Sequence, residues 1–425
     1  MIRSLLIIAI STLVSISYAQ DTYLHCGKLI DTENGKVLTE MTIVVHDNKI
    51  IRLVKGYTEA EKSEDVTIDL KDKTVLPGLI DMHVHMEFQS NPHSYIEPFT
   101  LDDADRAFRS VKHAKSTLLS GFTTVRDLGG TGVNTSLRKA IDGGFIDGPR
   151  VYSAGKTIAS TGGHGDPTNG WKQDLMGDPG PDEGVVNGIE DARKAVRQRY
   201  KNGADVIKIT ATGGVLSVAK SSSNPQFTIE EIEAICSTAK DYGMHVAAHA
   251  HGDEGMRRAI LGGVKTIEHG TLMSEATMDL MIEHDVYLVP TITAGKEVTA
   301  NAEIENFYPA IVVPKAREVG PKIQGTFGKA YKRGVKIAFG TDAGVYNHGE
   351  NTREFAYMVE AGMPLMEVIQ AATITNASIL KNDMIGIIKV DFLADIIAVD
   401  GDPFEDVNVM TKVSFVMKDG VVYKD

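Results

Sequence analysis

Short apolar runs that end in polar or glycine residues recur along the middle of this 425-residue chain, and stretches with helical spacing separate them. In chain order the eight runs are LPGLIDMHVH, FTTVRDLGG, RVYSAGKTIAS, DVIKITATGG, HVAAHAHG, VKTIEHG, VYLVPTIT and KIAFGTDAG. Strands that alternate with helices in this way predict a parallel sheet. Eight of them fit an α/β fold of the (β/α)8, or TIM barrel, type.

The clearest helical stretch is TIEEIEAICSTAKDYG, which starts at Thr228. Apolar positions recur in it at helical intervals, and Thr228 with Glu231 has the spacing of a capping box. Gly243 is a stop signal at its other end. We therefore expect a helix between Thr228 and Gly243.

The two ends of the chain have a different pattern. Residues 22–75 contain short alternating runs with turn signals, TYLHCGKLID, TIVVHDNKIIRLV and DVTIDLKDKTV, and the last part of the chain, from ADIIAVDGD onward, has the same character. Such runs predict hairpins. We predict that residues 20–75 and 389–425 build one small β-sandwich, with the barrel, residues 76–388, inserted between them.

Residues 1–19, MIRSLLIIAISTLVSISYA, have the form of a secretory signal peptide. One basic residue, Arg3, precedes an apolar run over 5–16, and small residues stand at Ser17 and Ala19. The apolar run is short for a bilayer, which argues against an uncleaved anchor. We therefore expect cleavage after Ala19 and an exported protein, periplasmic or secreted, that is not held in the membrane.

Composition narrows the classes of function. The formal charge of −13 at pH 7, without a basic cluster, argues against nucleic acid or anionic lipid as a partner. The two cysteines, Cys26 and Cys236, do not make a disulfide framework.

Polar side chains gather where the predicted strands end, which is where barrels of this type carry their chemistry. On a strand, side chains two apart share a face, so His83 and His85 can face the same cation. Such a pair is weak evidence alone, because paired strand histidines are often half-buried polar residues. Three other strand ends present His249, His269 and Asp342, which are ligand types suited to zinc.

Lys208 lies within the apolar run DVIKIT. Its neighbours Ile207 and Ile209 alternate with it, which places Lys208 on the opposite, inward face. A buried lysine is costly as a free cation, so it is expected to have a shifted pKa or a partner. The alternative is a surface lysine whose stem lies along apolar neighbours.

Taken together, these motifs resemble those of the amidohydrolase superfamily, and the resemblance covers essentially the whole mature chain. It implies two divalent metal ions, expected to be Zn²⁺, bridged by an N6-carboxylated Lys208. The ligands that it implies are His83 and His85 in PGLIDMHVH, Lys208 in DVIKITATGG, His249 in AAHAHG, His269 in IEHG and Asp342 in GTDAG.

Within that superfamily, the segments IKITATGG, TGGHGD and GTDAGVYNHGENTREF are most similar to exported Xaa-Pro dipeptidase-like enzymes and to a fungal amidase that cleaves ochratoxin. The implied reaction is hydrolysis of an amide bond in a dipeptide or an N-acyl amino acid by metal-activated hydroxide. Barrels of this family frequently associate through their outer helices, so a homo-oligomer is one expectation.

The resemblance also implies a role for Asp342 as the catalytic base that takes a proton and returns it to the leaving amine. A peptide-like substrate needs a partner for its carboxylate, and the candidates are His251, His164 and Arg126. Each has a second interpretation. Arg126 can pair with a structural carboxylate such as Asp127, His164 can be a loop residue that closes over the site, and His251 can support a metal ligand.

Two other functions stay open on the sequence. One is a mononuclear or binuclear cyclic amidase, lactonase or deaminase of the same superfamily, for which Asp253 and Glu254 would supply the acid after the fifth strand. Both acids look like the first turn of a helix instead. The other is a non-catalytic binding protein, which would be expected to have lost ligands. Substrate choice is expected to depend on the loops 217–227 and 170–184, whose residues do not identify a side chain.

Overall fold

A computed structural model describes residues 20–425, so the predicted signal peptide, residues 1–19, lies outside the described residues. The strands are β1 Asp21–Asp31, β2 Lys36–His46, β3 Lys49–Lys55, β4 Val66–Pro77, β5 Leu79–Val84, β6 Phe122–Asp127, β7 Arg150–Ser153, β8 Ile207–Thr210, β9 Val246–Ala250, β10 Thr266–His269, β11 Tyr287–Val289, β12 Ile396–Asp400, β13 Val413–Lys418 and β14 Val421–Lys424.

The α-helices are α1 Glu97–Thr100, α2 Asp103–Leu119, α3 Val133–Asp142, α4 Gln173–Met176, α5 Ile189–Lys201, α6 Ile229–Asp241, α7 Asp253–Leu261, α8 Glu275–Glu283, α9 Ile292–Asn301, α10 Val313–Val319, α11 Ile323–Arg333, α12 Arg353–Glu360, α13 Leu365–Gln370 and α14 Asn376–Ile379. Short 3₁₀ turns cover Gly320–Lys322 and Val407–Thr411, and a π-turn covers Ala371–Thr375. Within residues 20–425, no helix has the length and apolar character needed to cross a membrane.

Strands from both ends of the chain pair in one sheet. Its seven strands lie in the order β14-β13-β12-β4-β1-β2-β3, and every neighbouring pair is antiparallel except β1 with β4. The join between the two ends is β12 on β4, where Ile396 lies opposite Pro77. The predicted sandwich therefore takes the form of one mixed sheet, while the predicted division at residues 75 and 389 stays a prediction.

The strands between β4 and β12 are all parallel and form two sheets, β5-β6-β7 and β8-β9-β10-β11. The segment after β7 connects them, because Ile158 makes a parallel bridge with Ile209 and its backbone N–H donates to the Lys208 carbonyl at 2.8 Å. Helices follow most of these strands, as the alternating pattern predicted. The middle of the chain is therefore an α/β structure with parallel strands.

The eighth predicted run, KIAFGTDAG, is not a regular strand. Its backbone still bonds to β11 on one side and to β5 on the other: the Ala338 N–H donates to the Leu288 carbonyl at 2.9 Å and the Met82 N–H donates to the Phe339 carbonyl at 3.0 Å. The extended backbone is interrupted at Asp342, where φ is 61°. The segment nevertheless carries Asp342 to the same side as the ends of the parallel strands.

The predicted helix is confirmed as α6. Thr228 is its N-cap, the capping box with Glu231 is formed, and Gly243 beyond its end has a φ of 74°. A left-handed residue just past the last turn is the usual helix stop, and glycine adopts it without a steric penalty. Here local sequence signals were sufficient to place both ends of a helix.

Candidate metal centre and active site

The six predicted metal ligands converge on one cavity of about 300 Å³, although they come from five different segments of the chain. Parallel strands place their carboxyl ends on one side of the sheet, so side chains far apart in sequence meet there. The ligand residues that line the cavity are His83, His85, Lys208, His249, His269 and Asp342.

Three of these side chains, His83, His269 and Asp342, place one ligand atom each within 4.8 Å of the others. Asp342 Oδ1 lies 3.5 Å from His83 Nε2 and 3.3 Å from His85 Nε2. This buried oxygen has no hydrogen-bond partner among residues 20–425. A buried carboxylate oxygen without a donor is costly, and nitrogen and oxygen ligands of this kind suit a divalent cation. The residues present therefore fit a metal centre.

Lys208 projects inward from β8, as its alternation with two isoleucines predicted. Its side chain is buried, and Nζ lies 3.3 Å from His83 Nε2. Burial lowers the pKa of Lys208 to about 8. The lysine is thus held against His83, a predicted metal ligand, and no carboxylate hydrogen bonds to it among the described residues.

Three of the four histidines predicted as ligands use Nδ1 for a hydrogen bond with the protein, which fixes the ring and leaves Nε2 free to bind a metal. The pairs are His83 with Glu268 Oε2 at 2.9 Å, His85 with the Gly129 carbonyl at 2.9 Å, and His269 with Thr291 Oγ1 at 2.7 Å.

His249 is oriented differently, since its Nε2 donates to the Gly213 carbonyl at 3.2 Å and Nδ1 is the nitrogen left for a metal. Burial, together with the neighbouring histidines, holds the pKa of His249 and of His269 well below the usual range. Both rings are therefore neutral near pH 7, which is the form that binds metals.

Left-handed backbone occurs at three non-glycine residues that line the cavity: φ is 71° at His269, 52° at Thr291 and 61° at Asp342. Such conformations are costly and concentrate at functional sites. At His269 the consequence is direct. Neighbouring strand residues normally face opposite sides, yet Glu268 bonds to His83 while His269 also reaches the cavity.

Arg126 does not reach the cavity, which corrects the expectation that it binds a substrate carboxylate. The guanidinium is fully buried, and Nη2 donates to Glu268 Oε1 at 2.9 Å while Nε donates to the Met82 carbonyl at 2.7 Å. The second interpretation of Arg126, that it pairs with a structural carboxylate, agrees with this position. The carboxylate is Glu268 and not Asp127. Arg126 Nη1 also lies 3.0 Å from His245 Nε2 and 3.3 Å from Thr266 Oγ1, at the amino ends of β9 and β10, so the guanidinium lies beneath the site.

Glu268 is a residue that the sequence reasoning missed. It accepts hydrogen bonds from His83, Arg126 and the Thr266 hydroxyl. Burial alone would raise its pKa, but Arg126 and His83 lower it to about 2. Glu268 is a charged residue within the apolar run VKTIEHG, just as Lys208 is a charged residue within DVIKIT. The same argument from a buried charge would have identified this carboxylate.

His164 and His251 both line the cavity, and their contact with a substrate carboxylate stays a prediction. His251 Nδ1 is bonded to Thr271 Oγ1 at 2.9 Å, whereas buried His164 Nδ1 has no hydrogen-bond partner among residues 20–425. Burial is the largest cause that lowers the pKa of His164 to about 3. The His164 ring packs on backbone, since a Cβ at Gly214 would lie 2.3 Å from Nδ1.

The far side of the cavity is apolar, and it comes from two regions that carry no predicted ligand. We call this surface the apolar wall, and its residues are Val215, Leu216, Ala294, Val298, Val319 and Ile323. The loops 217–227 and 170–184, expected to set specificity, contribute no lining residue within the described chain. Asp253 and Glu254 begin α7 and are likewise outside the lining.

Comparison with known proteins is consistent with this geometry. The Amidohydrolase family matches residues 74–423. Ochratoxinase from Aspergillus niger is 30% identical over 440 residues, covering 97% of this chain and 88% of that protein.

Two solved structures are also similar over nearly the whole chain. A Xaa-Pro dipeptidase with bound methionine in the active site is 54% identical, with a TM-score of 0.93 over 96% of this chain and 100% of that one. A prolidase complexed with N-methylphosphonate-L-proline is 32% identical, with a TM-score of 0.86 over 95% and 100% of the two chains.

Proposed function

This chain belongs to the amidohydrolase family and is a hydrolase of amide bonds, and from that premise we propose that its substrate is a dipeptide or an N-acyl amino acid. The observation that carries the proposal is the convergence of all six predicted ligands, with His164 and His251, on one cavity. A cavity of about 300 Å³ has the size of a site for a small molecule. The similar Xaa-Pro dipeptidase and prolidase support a peptide-like substrate.

For the fold, we propose that the parallel strands close into a (β/α)8 barrel. Support comes from the segment between β11 and Asp342, whose backbone bonds to β11 and to β5. Support also comes from the bridge between Ile158 and Ile209, which joins the two parallel sheets. The sheet built from both chain ends is proposed to be a separate small domain.

For the cofactor, we propose two divalent ions, both zinc, and a carboxylated Lys208 between them. His83, His85 and Asp342 would hold one ion, and His249 with His269 would hold the other. When bound, the ions would activate a water molecule and polarise the amide carbonyl. Lys208 suits carboxylation because it is buried beside His83 and lacks a carboxylate partner among the described residues.

The chain's own residues then divide the remaining work. Asp342 accepts the proton that the attacking water loses and returns it to the nitrogen that leaves as an amine. His164 and His251 are proposed to hold the substrate carboxylate, because both side chains line the cavity beside the proposed ligands. Water is consumed, and one carboxylate and one amine are produced.

We also propose that the chain is exported through residues 1–19 and acts in the periplasm or outside the cell on a small-molecule substrate. A homo-oligomer is part of the same proposal. N-terminal sequencing of the secreted protein tests cleavage after Ala19, and size-exclusion chromatography with light scattering gives the number of copies.

The function is tested by hydrolysis of a library of L-Xaa-L-Xaa dipeptides and N-acyl amino acids by the zinc-loaded mature chain. Turnover that is lost in Lys208→Ala, together with two metal ions per chain, supports the binuclear peptidase. One ion per chain with unchanged turnover in Lys208→Ala contradicts it and favours a mononuclear enzyme. Two bound ions without turnover of any member would direct the search to lactones, cyclic amides or deamination.

A further inference from the structure

The cavity has two halves of different chemistry. Among the described residues that line it, every ionisable side chain is a proposed metal ligand or one of His164 and His251, and none belongs to the apolar wall. A charged substrate group placed against the wall would lose its hydration without gaining a partner. An apolar group would instead gain free energy from its burial.

The apolar wall is assembled from two parts of the chain that are far apart in sequence. Val215 and Leu216 lie in the loop that follows β8, and the other four wall residues lie on α9, α10 and α11. Neither part is a strand end, so the parallel sheets do not fix their separation. The two parts pack together in one apolar cluster, and a polar contact also holds the loop against the helices.

Lys315 of α10 makes that contact. Its Nζ donates to the carbonyls of Gly214 at 3.1 Å and Ala219 at 2.8 Å, and to the carbonyl of Ser217. An ammonium group has three N–H donors, so these three acceptors use all of them. Lys315 is 6% exposed, and no carboxylate bonds to it among residues 20–425. The cation is matched only by carbonyls of the loop that carries Val215 and Leu216.

A second anchor holds the same loop from another direction. The Tyr95 hydroxyl donates to the Leu216 carbonyl at 2.7 Å. The loop is thus tied to α10 by Lys315 and to the segment after β5 by Tyr95. Because backbone carbonyls are the acceptors, these bonds fix the path of the loop whatever its side chains are.

We propose that the apolar wall binds an uncharged, apolar side chain of the substrate, and that Lys315 is the positioning residue that holds the two parts of the wall together. The proposal rests on the function given above and specifies its substrate class. Lys315 itself is not a substrate ligand, because all of its donors are used.

The wall is tested first with the unmodified zinc-loaded protein on N-acetyl derivatives of leucine, glycine, aspartate and lysine, and on Leu-Gly, Gly-Leu, Asp-Gly and Gly-Asp. We expect kcat/KM for leucine in one of the two positions to exceed that for aspartate and lysine by at least about tenfold, as pockets of this kind discriminate. Equal or better turnover of the charged side chains would overturn the proposal.

Binding measured by calorimetry separates this proposal from the proposed function. N-acetyl-L-leucine should bind at least about tenfold more tightly than N-acetyl-L-aspartate, whether or not either is cleaved. Discrimination without turnover of any library member would contradict the peptidase function and support the wall. Turnover with equal rates and equal binding for leucine and aspartate would support the peptidase function and contradict the role of the apolar wall.

Lys315 is tested with Lys315→Met, which keeps the length of the side chain and removes its donors. The ratio of kcat/KM for the leucine substrate to kcat/KM for the glycine substrate should fall about tenfold, mainly through a higher KM for leucine. The kcat for glycine and the metal content should stay within about twofold of the values for the unmodified protein. A residue with a purely structural role would lower both substrates equally. Lys315→Arg, which keeps the charge and donors, should restore part of the ratio.

Exposed Lys322, seven residues further along, provides the matched control Lys322→Met, for which the ratio should not change. An unchanged ratio in Lys315→Met, or an equal fall in Lys322→Met, would overturn the role of Lys315. If Lys315→Met does not fold, Tyr95→Phe removes only the second anchor. It should shift the ratio in the same direction by a few-fold, and no shift there would contradict the anchoring of the loop.

Discussion

The two halves of the cavity differ in how the chain builds them. The half that carries the proposed ligands comes from the ends of parallel strands, whose hydrogen bonds fix the spacing of side chains. The apolar wall comes from one loop and three helices, tied by Lys315. The first half is suited to chemistry that tolerates little displacement. The second half consists of apolar side chains of a loop and helices, none of them a proposed ligand, so substrate choice can vary there.

The largest expected effect is on the strand-end half, through Asp342→Asn. The amide cannot take up a proton as a carboxylate does, so kcat should fall by about 10³-fold, within the range for loss of a general base. The side chain keeps its shape and one oxygen ligand, so the metal content should fall much less. Steady-state kinetics with metal analysis of the same sample measures both.

If activity and bound metal fall in parallel in Asp342→Asn, Asp342 acts only as a metal ligand. That result would contradict its proposed role in proton transfer. His164→Gln is the matched comparison, because it changes a cavity residue that is not a proposed ligand. It should affect KM more than kcat and leave the metal content unchanged.

The second largest effect is expected at Glu268, which lies beneath the proposed ligands and bonds to one of them. Glu268→Gln removes the charge that pairs with buried Arg126 and leaves a single acceptor oxygen where His83 and Arg126 now use one each. Leaving a buried cation unpaired should lower the free energy of unfolding by about 3 kcal/mol. The affinity for metal should fall by at least about tenfold, as it does when a histidine loses its orienting carboxylate. Chemical denaturation and metal titration measure the two effects.

The double variant Arg126→Met/Glu268→Gln distinguishes the pair from simple loss of packing. Removing both charges removes the unpaired cation, so the double variant should be clearly more stable than the sum of the two single changes predicts. Additive losses would mean that Arg126 and Glu268 are not coupled.

These residues also show what the sequence could and could not predict. Alternation along strands was sufficient for His83, His85 and Lys208, because it fixes which face a side chain occupies. It does not fix depth, which is why Arg126 was expected at the cavity and lies beneath it. It also fails where the backbone turns left-handed, so Glu268 and His269 face the same way although they are neighbours.

The apolar wall could not be predicted for a different reason. Its members are ordinary apolar positions of helices and a loop, and the sequence pattern does not distinguish them from core residues. Lys315 gave no signal either, because a lysine on a helix is usually exposed. Only the tertiary structure brings its ammonium to three carbonyls. The loops that were expected to choose the substrate lie close by in sequence, but their side chains do not line the cavity.

A smaller effect is expected at the boundary between the two halves. A Cβ at Gly214 would lie 2.3 Å from His164 Nδ1, so Gly214→Ala should displace this ring. KM should rise about tenfold, because small displacements of a positioning group weaken the reactive geometry. Gly180→Ala is the control, since a Cβ there meets no atom within 4 Å. An unchanged KM in Gly214→Ala would mean that His164 does not contact the substrate.

The smallest effect is expected on α10 itself, two residues from Lys315. Arg317 pairs with Glu303 through Nε at 2.7 Å, but both side chains are more than half exposed. Such pairs contribute little to stability, because water screens them and ordering two long side chains costs entropy. Arg317→Gln should therefore leave Tm, KM and the leucine to glycine ratio within the error of measurement. A fall of the ratio comparable to that in Lys315→Met would mean that the position of α10 as a whole, and not the three carbonyl contacts of Lys315, controls the apolar wall.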